Sequence, residues 1–499
     1  MTGAIYVSRH GVRSPYPPGG VGWPQHGQSW EAWTSAPVKR AAEFGMTQNA
    51  FETQELTAHG KTLVKPLGES AQKAWAAAGL EVDCGRVKTY ADDSTRDVQT
   101  ARLWLEGLGC VGNDVDVANG SLPEMVPILS DDFVQPNGIC KVATEGQARG
   151  RFGGDVDALT AAHARGIDEV QVALEMPSDA DACTDLPSDV ECAIASFPYE
   201  YDAMPWHGLF GGPLYYAQYF AESWMFEYLS GLDDFANNKL TPEELVRLYG
   251  LHVAIMGFAS NYFNSRALGS ALLAYVAVSA REIVRGHPEN VRALFAHDTN
   301  ILYLRHLLDL DWIATGWPMH AAPTGGALVF EVRGQAVRTV FRAQSPASQH
   351  SGEGTVDEAV LVIPACGVEL CPVEDFVRVL ACVEIESGRR GDGVFLHRSS
   401  PKLWTRTACP RTYARPSSAA SPSAMKYARA CPPGSWSSVY SSRPPEARSS
   451  PSPRSAASGR RPRRRSSKRV DAPTSRRASR SSRAIRSHQT GCKRVCENC

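Results

Sequence analysis

The chain has 499 residues and a formal net charge of −1, but residues 401–499 hold 23 Lys+Arg against 3 Asp+Glu, leaving 29 basic and 50 acidic residues, a net of −21, in the first 400. An acidic body of that size can bury a sizeable core and repels phosphate backbones, so no nucleic acid is expected as a partner of the folded part. No apolar run approaches the roughly 20 residues that span a bilayer, so no membrane partner is expected either.

Taken in chain order, Ala4–Ser8 is a short apolar run ending in charged residues, the pattern of a buried parallel strand. No charged and then apolar leader precedes it, so an export signal, if one is used, is not in this chain. Gly68–Ala78 is an Ala-rich helix candidate and Val87–Ala91 a second strand. Leu214–Leu229 carries aromatics on several faces, as a buried helix does. Thr241-Pro242-Glu243-Glu244 reads as a helix start, with Thr at the N-cap, Pro in the first turn and Glu closing a capping box. Ala267–Val284 is another long helix candidate, followed by a strand at Val291–Ala296. Ala327–Val332 and Val337–Phe341 flank a hairpin-like turn at Arg333-Gly334-Gln335.

Strands cluster at the two ends and helices in the middle. The expectation is an α/β protein whose catalytic domain is discontinuous (1–125 and 286–395), with a mainly helical domain inserted over 126–285. Residues 401–499 contain 21 Ser, 12 Pro and 23 Lys+Arg, which leaves few aliphatics to offset the entropy of ordering the chain. Residues 396–499 are therefore expected to form a disordered Arg/Ser/Pro-rich tail. Three origins compete for it: a basic segment for an acidic polymer or surface, a low-complexity linker, or out-of-frame reading of GC-rich sequence. The boundary, just past the last cysteine of the body, favours the third.

The chemistry concentrates where the first strand ends, at Ser8-Arg9-His10-Gly11-Val12-Arg13-Ser14-Pro15. A histidine at the carboxyl end of a buried strand sits where open α/β sheets place their ligands. Two neighbouring guanidinium groups lower its pKa and favour a neutral, nucleophilic ring, and their forks match the oxygens of a phosphate dianion. Gly11 allows a close backbone approach. Two further clusters follow strands: Ala91-Asp92-Asp93-Ser94-Thr95-Arg96 and Ala296-His297-Asp298-Thr299-Asn300.

These motifs resemble those of the histidine acid phosphatases, the phytase and acid phosphatase branch of the histidine phosphatase superfamily. Leu56-Thr57-Ala58-His59-Gly60 and Pro323-Thr324-Gly325-Gly326 are weaker similarities in the same order. The resemblance implies a phosphoglycerate-mutase-like sheet flanked by helices and an acid phosphatase acting on phosphate monoesters, a sugar phosphate or phytate, without cofactor or metal. It implies His10 as the nucleophile that forms a phosphohistidine. Arg9, Arg13, Arg96 and His297 would hold the phosphate, and Asp298 would protonate the leaving alkoxide and then assist water. An acid that must be protonated predicts activity favouring low pH. A mutase of the same superfamily is disfavoured because such members usually lack the second Arg and the Pro of the first motif. A non-catalytic phosphate-binding or basic-tail protein would have no need of both His10 and Asp298.

His-Asp-Thr-Asn resembles the phytase form of the second motif. Against phytate, the segment Tyr16–Trp33 beside the nucleophile offers His26 alone as a potential cation. Arg96 has a competing reading as a salt-bridge partner of Asp92, Asp93 or Asp97, Glu222 as a solvated or paired side chain, and His59, His207 and His252 as structural histidines. The body's eight cysteines suit a disulfide framework, though their spacing does not choose among its connectivities. The resemblance implies Cys84–Cys110, Cys140–Cys382, Cys183–Cys192 and Cys366–Cys371, and hence an extracellular or periplasmic location.

Overall fold

The computed structural model describes residues 1–15, 30–118, 146, 149, 150, 155, 157–199 and 212–379. Most of the Tyr16–Trp33 segment, Cys140, His207, Cys382 and the basic tail lie outside the described residues.

Eight strands among the described residues form one sheet: β1 (Gly3–Arg9), β2 (Val87–Asp92), β3 (Asp116–Ala118), β4 (Val291–Ala296), β5 (Ala327–Arg333), β6 (Ala336–Gln344), β7 (Val356–Leu361) and β8 (Leu370–Pro372). Their order is β3-β2-β4-β1-β5-β6-β7, with β8 alongside β6. β1 lies parallel to β4 and antiparallel to β5, so the buried strand expected at the N-terminus is parallel on one side only. β2 is parallel to both β3 and β4.

Successive side chains of β1 face opposite sides of the sheet. Ile5 and Val7 enter one core cluster and Ala4 and Tyr6 the other, and all four are buried. Burial on both faces is why β1 reads as a continuous apolar run. Against the Ala4/Tyr6 face pack α1 (Ala58–Ala77) and α2 (Thr95–Gly107), with Tyr6 and Trp104 ring centroids 4.9 Å apart. Against the other face pack α3 (Asp157–Leu174), α4 (Pro213–Leu229), α5 (Pro242–Ala259), α6 (Tyr262–Val284) and α7 (Asp298–Leu308). Full burial of each Val, Ile, Leu or Phe side chain contributes about 1.5–3 kcal/mol, so this two-sided core dominates the stability.

The helices depart from expectation mainly at their starts. α1 begins at Ala58, ten residues before the apparent Gly68 start. Thr57 caps it by accepting a hydrogen bond from the Gly60 N–H at 2.9 Å. Pro66 lies inside α1 and interrupts its pattern, because it offers no N–H to the ladder. At α5 the cap and box are as expected: Thr241 accepts from Glu244 N–H, and Glu244 accepts from Thr241 N–H. Every residue of α4 is buried. Disulfides join Cys84 to Cys110, Cys183 to Cys192 and Cys366 to Cys371. Among the described residues, no helix is long and apolar enough to cross a membrane.

Candidate active site

The register of the parallel strands aligns their carboxyl ends. Arg9 pairs with Ala296, and Ala91 with Phe295. The residues at and beyond these ends therefore meet at one edge: His10 after β1, Asp92 at the end of β2 with Arg96 after it, and His297 and Asp298 after β4. This is the edge at which parallel sheets bind ligands. The loop before β5 closes it from the far side, where Gly325 N–H donates to the His10 carbonyl at 2.8 Å.

The loop after β1 is held by backbone bonds. His10 N–H donates to the Ala296 carbonyl at 2.9 Å, and Thr57 N–H donates to the Val12 carbonyl at 3.0 Å. Gly11 N–H donates to the Thr100 hydroxyl at 2.9 Å, and that hydroxyl donates to the Arg96 carbonyl at 2.7 Å. One side chain thus links the His10 loop to the helix bearing Arg96. The close approach expected at Gly11 is made to α1. A Cβ there would lie 2.7 Å from Val64 Cγ2, and one at Gly60 would lie 2.1 Å from the Val12 carbonyl oxygen.

His10 is buried, and its Nδ1 lies 2.8 Å from the Gly11 carbonyl. A carbonyl only accepts, so in the neutral ring Nδ1 carries the proton and Nε2 the lone pair. Burial, then the charges of Arg96, Arg9 and Arg13, with His297, hold the ring well below the ordinary histidine pKa. The ring is therefore neutral.

Arg9, also buried, spends its outer nitrogens within the protein. Nη1 donates to the Tyr249 hydroxyl at 3.1 Å and the Ala322 carbonyl at 2.9 Å. Nη2 lies 3.0 Å from Glu222 Oε1 and 3.1 Å from Asp298 Oδ2. Asp298 begins α7, where its Oδ1 accepts from Thr299 N–H at 2.8 Å. Burial opposes its ionisation, but the charge of Arg9 and the hydrogen bond and charge of His252, with His297, outweigh that and hold the carboxyl well below the usual carboxylate range.

The other predicted site residues gather around this pair. Arg13 is buried with its guanidinium 4.3 Å from the Phe226 ring centroid, and it donates to the Ser14 carbonyl at 2.7 Å. Arg96 Nε lies 3.8 Å from Asp97 Oδ2. His297 Nε2 lies 2.7 Å from Asp92 Oδ2, and its ring centroid is 5.8 Å from that of His10. Of the three acidic partners weighed for Arg96, Asp97 takes that place and Asp92 turns to His297.

The structure also brings His252, read above as a structural histidine, against the site: its Nε2 lies 3.2 Å from Asp298 Oδ2 and its Nδ1 3.0 Å from Gln218 Oε1. It sits mid-helix in α5 with no motif around it, 46 residues from its partner. Glu222 is paired, to Arg9, from α4. His59 Nε2 bonds the Gln349 carbonyl at 2.7 Å. Two groups bring metal-type donor atoms within 4.8 Å of one another, Asp92/Asp97/His297 and Glu222/His252/Asp298. In the second, the Arg9 guanidinium already bridges both carboxylates.

Comparison with known proteins bears on the family and the fold. A family model described as histidine phosphatase superfamily (branch 2) matches residues 1–342. Among solved structures, the phytase from Citrobacter braakii is 20% identical with a TM-score of 0.64, covering 77% of this chain and 98% of that one. Hafnia alvei phytase in complex with tartrate is 19% identical with a TM-score of 0.63 over 76% and 96% of the two chains. Klebsiella sp. ASR1 phytase is 21% identical with a TM-score of 0.61 over 78% and 96%. At these identities the likeness shows the fold, a central sheet flanked by helices. No curated protein matches. With the family model spanning more than half of the sequence, the chain belongs to branch 2 of the histidine phosphatase superfamily.

Proposed function

We propose that this protein hydrolyses phosphate monoesters through a phosphohistidine on His10. The observation that carries the proposal is the placement of that ring: buried, and with Nδ1 on the Gly11 carbonyl so that Nε2 of the neutral ring keeps its lone pair. Phosphoryl transfer demands positioning and charge stabilisation more than covalent ingenuity. Nε2 attacks phosphorus, and the P–O bond to the leaving group breaks. Arg9, Arg13, Arg96 and His297 hold the non-bridging oxygens. For Arg9 the donor left over is Nε–H, buried with no acceptor among the described residues.

Asp298 passes a proton to the departing oxygen. In the second half it takes one from the water that displaces His10 from phosphorus. Because Arg9 keeps this carboxyl ionised in the resting site, turnover favours acidic pH. The catalytic domain is read as 1–125 and 286–395, with Glu222 and His252 reaching the site from the inserted 126–285.

The substrate class is a small phosphomonoester, either a sugar phosphate or phytate; Hafnia alvei phytase has been solved with myo-inositol hexakis sulphate. The three cystines favour an oxidising compartment, extracellular or periplasmic. The test is phosphate release from an aryl phosphate at mildly acidic pH. His10→Ala abolishes it, whereas equal rates in the two proteins remove His10 as nucleophile. A panel with phytate and glucose 1-phosphate then separates the substrates.

A further inference from the structure

We propose that His252 is a positioning residue that fixes the Asp298 carboxylate and supplies the proton Asp298 hands to the leaving oxygen. This rests on the acid role proposed above for Asp298.

Acceptors stand at both ring nitrogens of His252. Nδ1 lies 3.0 Å from Gln218 Oε1, and Nε2 lies 3.2 Å from Asp298 Oδ2 and 3.6 Å from Glu222 Oε1. The groups facing it are Gln218 and Glu222 from α4, Asp298 with His297 beside it at the start of α7, and Arg9 from β1 behind both carboxylates. On its own helix Tyr249 stacks on the ring at 4.9 Å. Counted as charges, Arg9, Glu222 and Asp298 leave one uncompensated negative charge in a buried cluster. Such a charge is costly, and a proton on His252 cancels it. The imidazolium so formed satisfies both acceptors.

The proton balance closes over one turnover. As His10 Nε2 bonds to phosphorus and the P–O bond breaks, the proton on Nε2 of His252 moves to Asp298 and from there to the leaving oxygen, releasing an alcohol and leaving His252 neutral. As water attacks phosphorus and the N–P electron pair returns to His10, a water proton passes through Asp298 back to His252. The arrangement resolves a conflict at Asp298, which Arg9 keeps ionised although its role needs a proton at the moment of bond cleavage.

Leaving-group dependence separates this role from a structural one. Nitrophenolate departs without a proton and an alkoxide does not, and kcat/KM reports the step that expels it. In His252→Gln, the ratio of kcat/KM for 4-nitrophenyl phosphate to that for glycerol 2-phosphate rises about 10-fold or more, a typical worth of proton transfer to a leaving group. Asp298→Asn is measured alongside and raises the same ratio. A rise in Asp298→Asn with a flat ratio in His252→Gln overturns the proton supply while leaving the phosphatase mechanism standing. A flat ratio in Asp298→Asn removes the acid assignment and this proposal with it. Gln218→Glu provides a second route should His252→Gln not fold. A carboxylate against Nδ1 stabilises the imidazolium, so the alkaline limb of kcat/KM for glycerol 2-phosphate moves to higher pH, and an unmoved limb contradicts the proposal.

Discussion

Nη2 of Arg9 lies 3.1 Å from Oδ2 of Asp298 and 3.0 Å from Oε1 of Glu222, so one corner of a buried guanidinium is shared by two carboxylates. A like charge beside an acid disfavours its ionisation. Glu222 therefore works against Arg9 at Asp298. Replacing Glu222 with Gln removes this effect, and the alkaline limb of kcat/KM moves to lower pH by about half a unit or more. A limb that stays or moves upward shows that Glu222 does not act on the acid.

Stability should also carry the signature of the neutral His10. Its folded pKa is depressed, so between the ordinary value near 6.5 and the folded value the unfolded chain binds a proton that the folded one refuses. Unfolding takes up protons there, and stability is lost as pH falls below about 6.5. His10→Gln lacks this loss and resists acid better than wild type by about 1 kcal/mol at pH 5.5 relative to pH 7.5, read by urea unfolding. Asp298 has the opposite sign: its depressed pKa contributes stability above the ordinary carboxylate value that disappears only as pH drops through the folded one. The two groups therefore act in different pH windows.

The His10 loop leans on α1 through Gly60. An alanine Cβ there would meet the Val12 carbonyl oxygen at 2.1 Å, and neither backbone can yield without moving the segment between His10 and Arg13. Gly60→Ala is expected to cost about 1–3 kcal/mol as overpacking does, and to lower kcat as the nucleophile shifts against the arginines. Unchanged unfolding free energy together with unchanged kcat would show that the contact is not tight.

The disulfide between Cys84 and Cys110 closes a separation of 26 residues, joining the start of β2 to the end of α2. In the chain-entropy picture it contributes about 3 kcal/mol by restricting the unfolded chain. The double variant Cys84→Ser/Cys110→Ser should lower Tm while leaving KM near its wild-type value, because the bond lies at the opposite end of β2 from Arg96. Insensitivity of Tm to both the variant and a reductant would contradict a formed disulfide.

The candidate site was legible wherever polar motifs sit next to a strand end. His10, Arg96 and Asp298 follow β1, β2 and β4 within a few residues, so an apolar run and a short polar motif together locate them. The contacts of Glu222 and His252 with Arg9 and Asp298 were not, because each lies within a helix among packing residues, with no strand-end motif beside it. All of α4 is buried, so no polar stripe sets Glu222 apart. The strands at Val356–Leu361 and Leu370–Pro372 escaped for a different reason: half-exposed edge strands lack the apolar run that marks β1. Their existence depends on pairing with β6, which local pattern does not encode.

The phosphohistidine itself is the most direct test. Enzyme mixed with excess substrate and quenched within milliseconds in alkali, where phosphohistidine survives, is digested and its phosphopeptides mapped. The account predicts phosphate on the peptide containing His10, lost when the sample is acidified and absent from His10→Ala. Steady turnover with no phosphorylated His10 peptide at any quench time would contradict a covalent mechanism and point to direct attack by water.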